Sequence, residues 1–138
     1  MRKNLKVEDL GDLLEKPILA MLATRRKDGR ILISPVWHEW VDGGFLITTW
    51  ANDIKSKNLK ADPRTTVMVA EQEPPYRSIE LSGEAVVTPL DDHMPMMSRL
   101  AARYVGDASY AEKFREDKIE LIELKPGVIR AWDFNEPD

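Results

Sequence analysis

Residues 45–59 read FLITTWANDIKSKNL, and this stretch carries the strongest clue to the architecture because it changes its pattern in the middle. Its first part, residues 45–50, is rich in β-branched and aromatic side chains and predicts a strand. After it, Ile54 and Leu59 are spaced as apolar residues on one face of a helix, and Pro63 ends this helical pattern. The stretch therefore predicts a strand that leads directly into a short helix.

Strand patterns continue on both sides of this stretch, and the helical patterns between them are short. The predicted strands cover residues 18–23, 31–41, 45–50, 65–70, 78–87, 119–124 and 128–134. Further helical patterns cover residues 7–14, 91–103 and 108–115. Turn signals such as Asp28-Gly29 and Lys125-Pro126-Gly127 join neighbouring strands as antiparallel pairs. We therefore predict a mainly β fold of six to seven antiparallel strands, closed into a small barrel with short helices.

The composition indicates one folded domain over residues 1–138, in which residues 1–6 and 135–138 are expected to be flexible. Apolar residues make up 43% of the chain and charged residues 32%, a balance typical of globular proteins. The absence of cysteine excludes disulfides and thiolate chemistry and fits a reducing compartment. No segment approaches the roughly 20 apolar residues that span a bilayer. We expect a cytoplasmic protein with no membrane association.

Charge and histidine content narrow the function classes. The formal net charge of −4 and the pI of about 5.3 provide no overall positive field for nucleic acid, so no nucleic-acid partner is expected. His38 and His93 are the only histidines, and neither has a second ligand at metal-binding spacing on its own element. The sequence therefore predicts no metal site.

One segment does combine residues suited to an anion. Thr48 and Thr49 lie at the end of a predicted strand, and Lys55 and Lys57 lie in the first turns of the helix that follows. Free backbone N–H groups and the helix dipole favour negative charge there, so a phosphate group fits. A solvated surface helix with ordinary lysines is the alternative interpretation.

Several motifs, taken in their order and spacing, resemble the pyridoxamine 5′-phosphate oxidase-like split-barrel oxidoreductases, which use flavin or deazaflavin cofactors. The resemblance spans residues 18–132. Its motifs are Leu19-Ala20-Met21-Leu22-Ala23-Thr24, Asp28-Gly29, Ser34-Pro35-Val36-Trp37, Lys55-Ser56-Lys57-Asn58-Leu59, Asp62-Pro63-Arg64 and Ile79-Glu80-Leu81-Ser82-Gly83-Glu84-Ala85.

The resemblance implies an FMN-binding split β-barrel and a homodimer with the cofactor at the subunit interface. The cofactor would be FMN or, alternatively, the deazaflavin coenzyme F-420. One subunit would contact the ring through the backbone of Ser34, Pro35, Val36 and Trp37, and the ribityl chain and phosphate through Thr48, Thr49, Lys55 as principal ligand and Lys57 as helper. The other subunit would approach through Ser78, Arg130 and Trp132.

Two positions depart from the vitamin-forming oxidases of this family. Ile54 stands where those enzymes usually have an arginine, and Arg130-Ala131-Trp132 stands where they have Arg-x-His. A phosphate site of different arrangement and a substrate other than pyridoxine or pyridoxamine phosphate are therefore expected.

Three function classes remain open. The first is an oxidoreductase that transfers a hydride or electrons to or from a small organic molecule. The second is a non-catalytic FMN-binding carrier, stress or sensor protein, and the third is a small-barrel interaction module. No side chain is assigned as a catalyst, because in such proteins the cofactor supplies the redox chemistry.

Overall fold

The computed structural model describes residues 1–136, and this part of the chain contains eight strands, two α-helices and three 3-10 helices. The strands are β1 (Ala20–Arg25), β2 (Ile31–Val36), β3 (His38–Val41), β4 (Gly44–Trp50), β5 (Arg64–Ala70), β6 (Ser78–Pro89), β7 (Ile119–Leu124) and β8 (Val128–Trp132). The α-helices are α1 (Ile54–Ala61) and α2 (Met94–Tyr104). The 3-10 helices are Val7–Leu10, Leu13–Glu15 and Ala108–Phe114.

The strands form one curled antiparallel sheet in the order β2-β1-β5-β6-β7-β4-β3, with β8 paired to β6. The two end strands, β2 and β3, are joined in the chain by Trp37 alone, so the sheet bends back on itself there. Strand β6 is 12 residues long and belongs to both halves, since its first part pairs with β5 and β8 and its last part with β7. The predicted mainly β split barrel is confirmed.

Alternating side chains give the sheet two apolar faces. The inner face holds the main core, which includes Phe45, Ile47, Val67, Val69, Ile79, Leu81, Ile122 and Leu124. On β4 the next residue, Leu46, points the other way and packs under α2 and the 3-10 helix Ala108–Phe114. These two helices contribute Met96, Met97, Leu100, Ala101 and Ala111 to a second cluster. The second cluster covers the outer face of β4 and β7, beside the site described below.

Two local elements differ from the sequence prediction. The predicted strand over residues 31–41 is two strands, interrupted at Trp37, which raises the strand number to eight. The predicted opening helix is instead two 3-10 helices, because Gly11 has a φ of +60° and leaves the helical region between them.

The N-terminal segment contacts the end of the barrel. Arg2 pairs with Asp133 through its backbone and through its guanidinium, whose Nε donates to Oδ1 at 3.0 Å. The flexibility expected of residues 1–6 and 135–138 stays a prediction, and residues 137 and 138 lie outside the described part of the chain.

Two features are absent from residues 1–136. No helix among them is both long and apolar enough to cross a membrane. No three histidine, aspartate or glutamate side chains in that range lie close enough together to hold a metal ion.

Candidate functional site

A cavity of about 190 Å³ opens where the ends of β2 and β4 meet α1. Aromatic and aliphatic side chains make up most of its lining, and Thr48, Thr49 and Lys55 add polar groups. The lining residues are Pro35, Val36, Trp37, Thr48, Thr49, Trp50, Lys55, Met97, Phe114 and Ile119. Six of the predicted cofactor residues therefore lie around one cavity, although they come from three separate elements.

The aromatic part of the lining is held in place by ring contacts. Trp37 stacks on Tyr104 with ring centroids 5.3 Å apart and an interplanar angle of 2°. Phe114 meets the Trp37 ring edge-on at 6.4 Å and lies 6.0 Å from the Trp50 ring. The Trp50 Nε1–H donates to Asp117 Oδ2 at 2.9 Å. These contacts orient the indole rings without any help from a ligand.

Tyr104 is itself fixed by hydrogen bonds behind the Trp37 ring. Its hydroxyl donates to the Ile18 carbonyl at 2.8 Å and lies 2.8 Å from His38 Nδ1. It also accepts the backbone N–H of His38 at 3.2 Å. Since the hydroxyl has one proton, which goes to Ile18, His38 Nδ1 must act as the donor. The barrel wall thus positions the ring on which Trp37 stacks.

The polar end of the cavity is built by the turn from β4 into α1. Asn52 has a φ of +66°, a conformation that asparagine tolerates, and it places Asp53 as the N-cap of α1. The Asp53 carboxylate accepts hydrogen bonds from Ile54 N–H at 2.7 Å and Thr49 Oγ1–H at 3.2 Å, and it forms an ion pair with Lys55. The Lys55 ammonium, the Ile54 N–H and the Thr49 hydroxyl hold the pKa of Asp53 below its ordinary value.

A second carboxylate lies under the same turn. Glu120, the register partner of Thr49, is buried and accepts Ser56 Oγ–H at 2.6 Å and Lys60 Nζ–H at 2.7 Å. Burial opposes ionisation of Glu120, but the hydrogen bonds from Lys60 and Ser56 outweigh it, so its pKa lies below the ordinary value. The lysines at positions 55 and 60 are therefore both neutralised by neighbouring carboxylates.

Two of the predicted residues on the same strand and helix do not line the cavity. Ser34 lies opposite the buried Leu22 and shares its face of the sheet, one residue before the lining begins. Lys57 is exposed on α1. Their predicted roles toward a cofactor stay predictions.

The three residues predicted to act from the other subunit form a separate group on β6 and β8. Ser78 lies opposite Trp132 in the strand register, and its hydroxyl donates to the Tyr76 carbonyl at 3.0 Å. The Arg130 guanidinium lies over the Trp132 ring, 4.7 Å from its centroid, and pairs with Glu80 at 3.0 Å. Within one chain this group does not line the cavity.

The family model of pyridoxamine 5′-phosphate oxidase matches residues 7–133, which is almost the whole chain. This chain belongs to the pyridoxamine 5′-phosphate oxidase family. The match includes every residue around the cavity and the group on β6 and β8. No curated protein has a sequence that matches the chain.

Solved structures resemble this family member over most of its length. A conserved hypothetical protein from Mycobacterium tuberculosis is 19% identical with a TM-score of 0.80, over 99% of this chain and 91% of that one. An F-420 reductase is 25% identical with a TM-score of 0.69, over 86% and 93%. A FAD-binding protein from Mesorhizobium loti is 18% identical with a TM-score of 0.68, over 98% and 97%. The first and third likenesses, at under 25% identity, concern the fold alone.

Apart from Trp50, four residues that shape the site were not predicted from the sequence. Met97, Phe114 and Ile119 line the cavity from elements more than 40 residues away from β4, and no local pattern indicates that they meet it. The fourth is Asp53, whose pairing with Lys55 neutralises the predicted anion ligand. An aspartate just before a predicted helix is a recognisable N-cap signal, and it could have been found from the sequence.

Proposed function

We propose that this protein binds a flavin-type cofactor, FMN or the deazaflavin coenzyme F-420, in the cavity and acts as an oxidoreductase on a small organic molecule. The observation that carries the proposal is the combination of a rigid aromatic wall with an ammonium group and two hydroxyls in one cavity. Membership of the family and the likeness to proteins described as an F-420 reductase and a FAD-binding protein support it.

The donor set of the cavity fits the parts of such a cofactor. Trp37 offers a flat apolar surface for a tricyclic ring, and the segment Pro35–Trp37 adds extended backbone beside it. Thr48, Thr49 and Lys55 would hold the ribityl chain and phosphate. The bound cofactor supplies the hydride or electron transfer. The chain's own residues bind the phosphate, orient the ring and keep water away from it.

A homodimer is part of the proposal because the outer face of one half of the sheet exposes apolar side chains and is not covered by any other element of residues 1–136. Ile33 on β2 is 64% exposed, Met21 on β1 is 44% exposed, and Val128 on β8 is 77% exposed. Exposed apolar residues clustered on one sheet face are typical of a protein interface. A second copy of the chain is the proposed partner, because a two-fold dimer brings the same face of both subunits together.

This face also reaches the cavity. One cross-strand row runs through Pro35, Met21, Met68, Glu80 and Arg130, and residues in register share a face of the sheet. Pro35 lines the cavity at one end of the row, and Arg130 belongs to the group on β6 and β8 at the other end. A partner seated on this face would therefore cover the mouth of the cavity, which supports the predicted approach of Ser78, Arg130 and Trp132 from the other subunit.

A cofactor-binding protein without turnover is the second candidate, and one observation favours it. Among the residues that line the cavity, Lys55 is the only ionisable side chain, so the described lining offers no free acid or base for proton transfer. Turnover distinguishes the two candidates. An oxidoreductase is expected to be reduced by a nicotinamide or a reduced deazaflavin and then reoxidised by an organic acceptor, whereas a carrier is not.

Cofactor titration of Lys55→Ala tests the binding site. Loss of one charge-assisted contact is expected to weaken binding of FMN or F-420 about tenfold or more, which corresponds to about 1.4 kcal/mol. The fold should stay intact by circular dichroism. Lys27→Ala, in the exposed β1–β2 turn, removes the same charge and is expected to change nothing. Unchanged affinity of Lys55→Ala for both cofactors would contradict the phosphate site.

A further inference from the structure

Asp53 occupies the position in which an anion would meet Lys55. Its carboxylate already accepts the Thr49 hydroxyl, the Ile54 backbone N–H and the Lys55 ammonium. These are three of the donors that a bound phosphate could use at the polar end of the cavity. The chain therefore supplies its own anion at its own anion site.

The charges around this position cancel. Lys55 pairs with Asp53, and Lys60 pairs with Glu120 at 2.7 Å, so these four groups together carry no net charge. Ile54, which lies between Asp53 and Lys55 in the sequence, carries no charge. Lys57 is exposed on α1 and is the nearest further cation in the sequence. The site is thus less cationic than the two lysines of the sequence motif suggest.

Asp53 is also difficult to displace. Its pKa lies below the ordinary value because Lys55, Ile54 N–H and Thr49 all stabilise the charged form. It therefore stays ionised at neutral pH. Turning its side chain away from the site would leave the first turn of α1 without its N-cap.

We propose that Asp53 acts as a charge filter, so that the cavity selects a cofactor whose phosphate carries one negative charge over a cofactor whose phosphate carries two. This inference rests on the proposed function, because it concerns the phosphate of the cofactor bound there. A singly charged phosphodiester can share Lys55 with the Asp53 carboxylate. A phosphomonoester carries close to two charges at pH 7.5, and each charge is repelled by the carboxylate at short range.

A charge series on one ring tests the filter directly. Riboflavin, the monomethyl phosphate ester of riboflavin and FMN share the isoalloxazine ring and carry no charge, one charge and about two charges on the tail at pH 7.5. Their dissociation constants are measured by quenching of flavin fluorescence. In the wild-type protein the methyl ester is expected to bind about tenfold more tightly than FMN. Tighter binding of FMN than of the ester would overturn the proposal without any mutation.

Asp53→Asn removes the carboxylate and keeps the helix cap, since asparagine caps as well as aspartate. Affinity for FMN should rise about tenfold more than affinity for the ester, so that the preference for the ester disappears, while riboflavin should bind as before. Asp62→Asn is the matched control, because it removes one negative charge at the other end of α1, where Asp62 pairs with the exposed Arg64. An unchanged ratio in Asp53→Asn, or an equal change in Asp62→Asn, would overturn the filter.

FAD and F-420 both carry singly charged phosphate groups. Titration with each shows which of these natural cofactors the site binds. Either one binding more tightly than FMN supports the filter, and FMN binding more tightly than both overturns it. If none of the flavins or F-420 binds the wild-type protein, the proposed function fails and the filter fails with it. If they bind with no dependence on charge, only the filter fails.

Discussion

At the residue scale, the contact between the buried His38 and the half-buried Tyr104 connects the barrel to the site. His38 is fully buried, with Phe45 edge-on against its ring at 5.3 Å. Nδ1 is engaged with Tyr104, and Nε2 has no hydrogen-bond partner within the described residues. Burial, together with the nearby Arg103 guanidinium, lowers the pKa of His38 to about 3. The imidazole is therefore neutral in the folded protein at neutral pH, and the folded chain protonates it only near pH 3.

The protonation of His38 makes stability depend on pH in a definite window. The unfolded chain binds a proton at His38 below its ordinary pKa of 6.5, and the folded chain does so only near pH 3. The contribution of neutral His38 to the free energy of unfolding is thus complete above pH 6.5, and it is lost as the pH falls from 6.5 toward 3. Between pH 6.5 and 4.5 the free energy of unfolding should fall by about 2 kcal/mol through His38 alone.

Urea denaturation at pH 6.5 and pH 4.5 measures this loss. His38→Asn is expected to be less stable at pH 6.5 but to lose clearly less stability between the two pH values. Buried carboxylates add their own loss at lower pH, since Arg77 holds the pKa of Glu71 at about 2. For that reason the comparison stops at pH 4.5. Equal pH slopes in the variant and the wild type would contradict a neutral buried His38.

At the element scale, the turn that contains Gly29 and the turn that contains Gly127 need glycine for different reasons. Gly29 closes the β1–β2 hairpin with a φ of +86°, and a Cβ there would meet nothing within 4 Å. Gly127, in the turn between β7 and β8, would place a Cβ 2.3 Å from the Ser82 carbonyl oxygen. The first turn needs the backbone conformation, whereas the second needs the close approach of two strands.

Substitution by alanine at each position should distinguish the conformational requirement at Gly29 from the steric requirement at Gly127. Gly29→Ala is expected to lower the free energy of unfolding by about 1 kcal/mol, the cost of a left-handed conformation with a Cβ. Gly127→Ala should cost more, about 2 kcal/mol or above, because β8 must move away from β6. Chemical denaturation of both variants checks the order. A larger loss in Gly29→Ala would contradict the close contact between the β7–β8 turn and β6.

At the scale of the whole molecule, the proposed dimer follows from how the curled sheet distributes its apolar surface. The inner face is filled by the main core, and the outer face of β4 and β7 is covered by α2 and its neighbouring 3-10 helix. Within residues 1–136 the outer face of β1, β2 and β8 has no such cover, although Ile33 and Val128 lie on it. A charge on this face should therefore act on association and leave the barrel core unchanged.

Sedimentation of Ile33→Asp tests the dimer. The wild-type protein is expected to sediment as a dimer and the variant mainly as a monomer, because an aspartate buried in an apolar interface has no partner there. Cofactor affinity should fall together with dimerisation, since Pro35 connects this face with the cavity. Val105→Asp, at the exposed end of α2, is the control and should remain a dimer. A monomeric wild-type protein, or a dimeric Ile33→Asp, would contradict the proposed interface.

Local sequence patterns were sufficient for most of the elements. The strand over residues 119–124 has the predicted bounds, and the short helix predicted directly after β4 is present as α1, with Asp53 as its cap. The split-barrel class and the family also follow from motifs that are local in sequence. Alternation, turn residues and helix caps act over a few residues, so they can be recognised without knowing what the rest of the chain does.

The tertiary structure decided the walls of the site and part of its charge. Lys55 looks like a free cation in the sequence, and only the turn at Asn52 brings Asp53 onto it. Met97 and Phe114 reach the cavity because the sheet curls until the outer face of β4 meets α2 and its neighbouring 3-10 helix. The sequence by itself determined the barrel and the place of the site, because short-range preferences encode them. Which rings enclose the cavity, and the pairing of Lys60 with Glu120, depended on closure of the sheet, which brings together side chains that are distant in sequence.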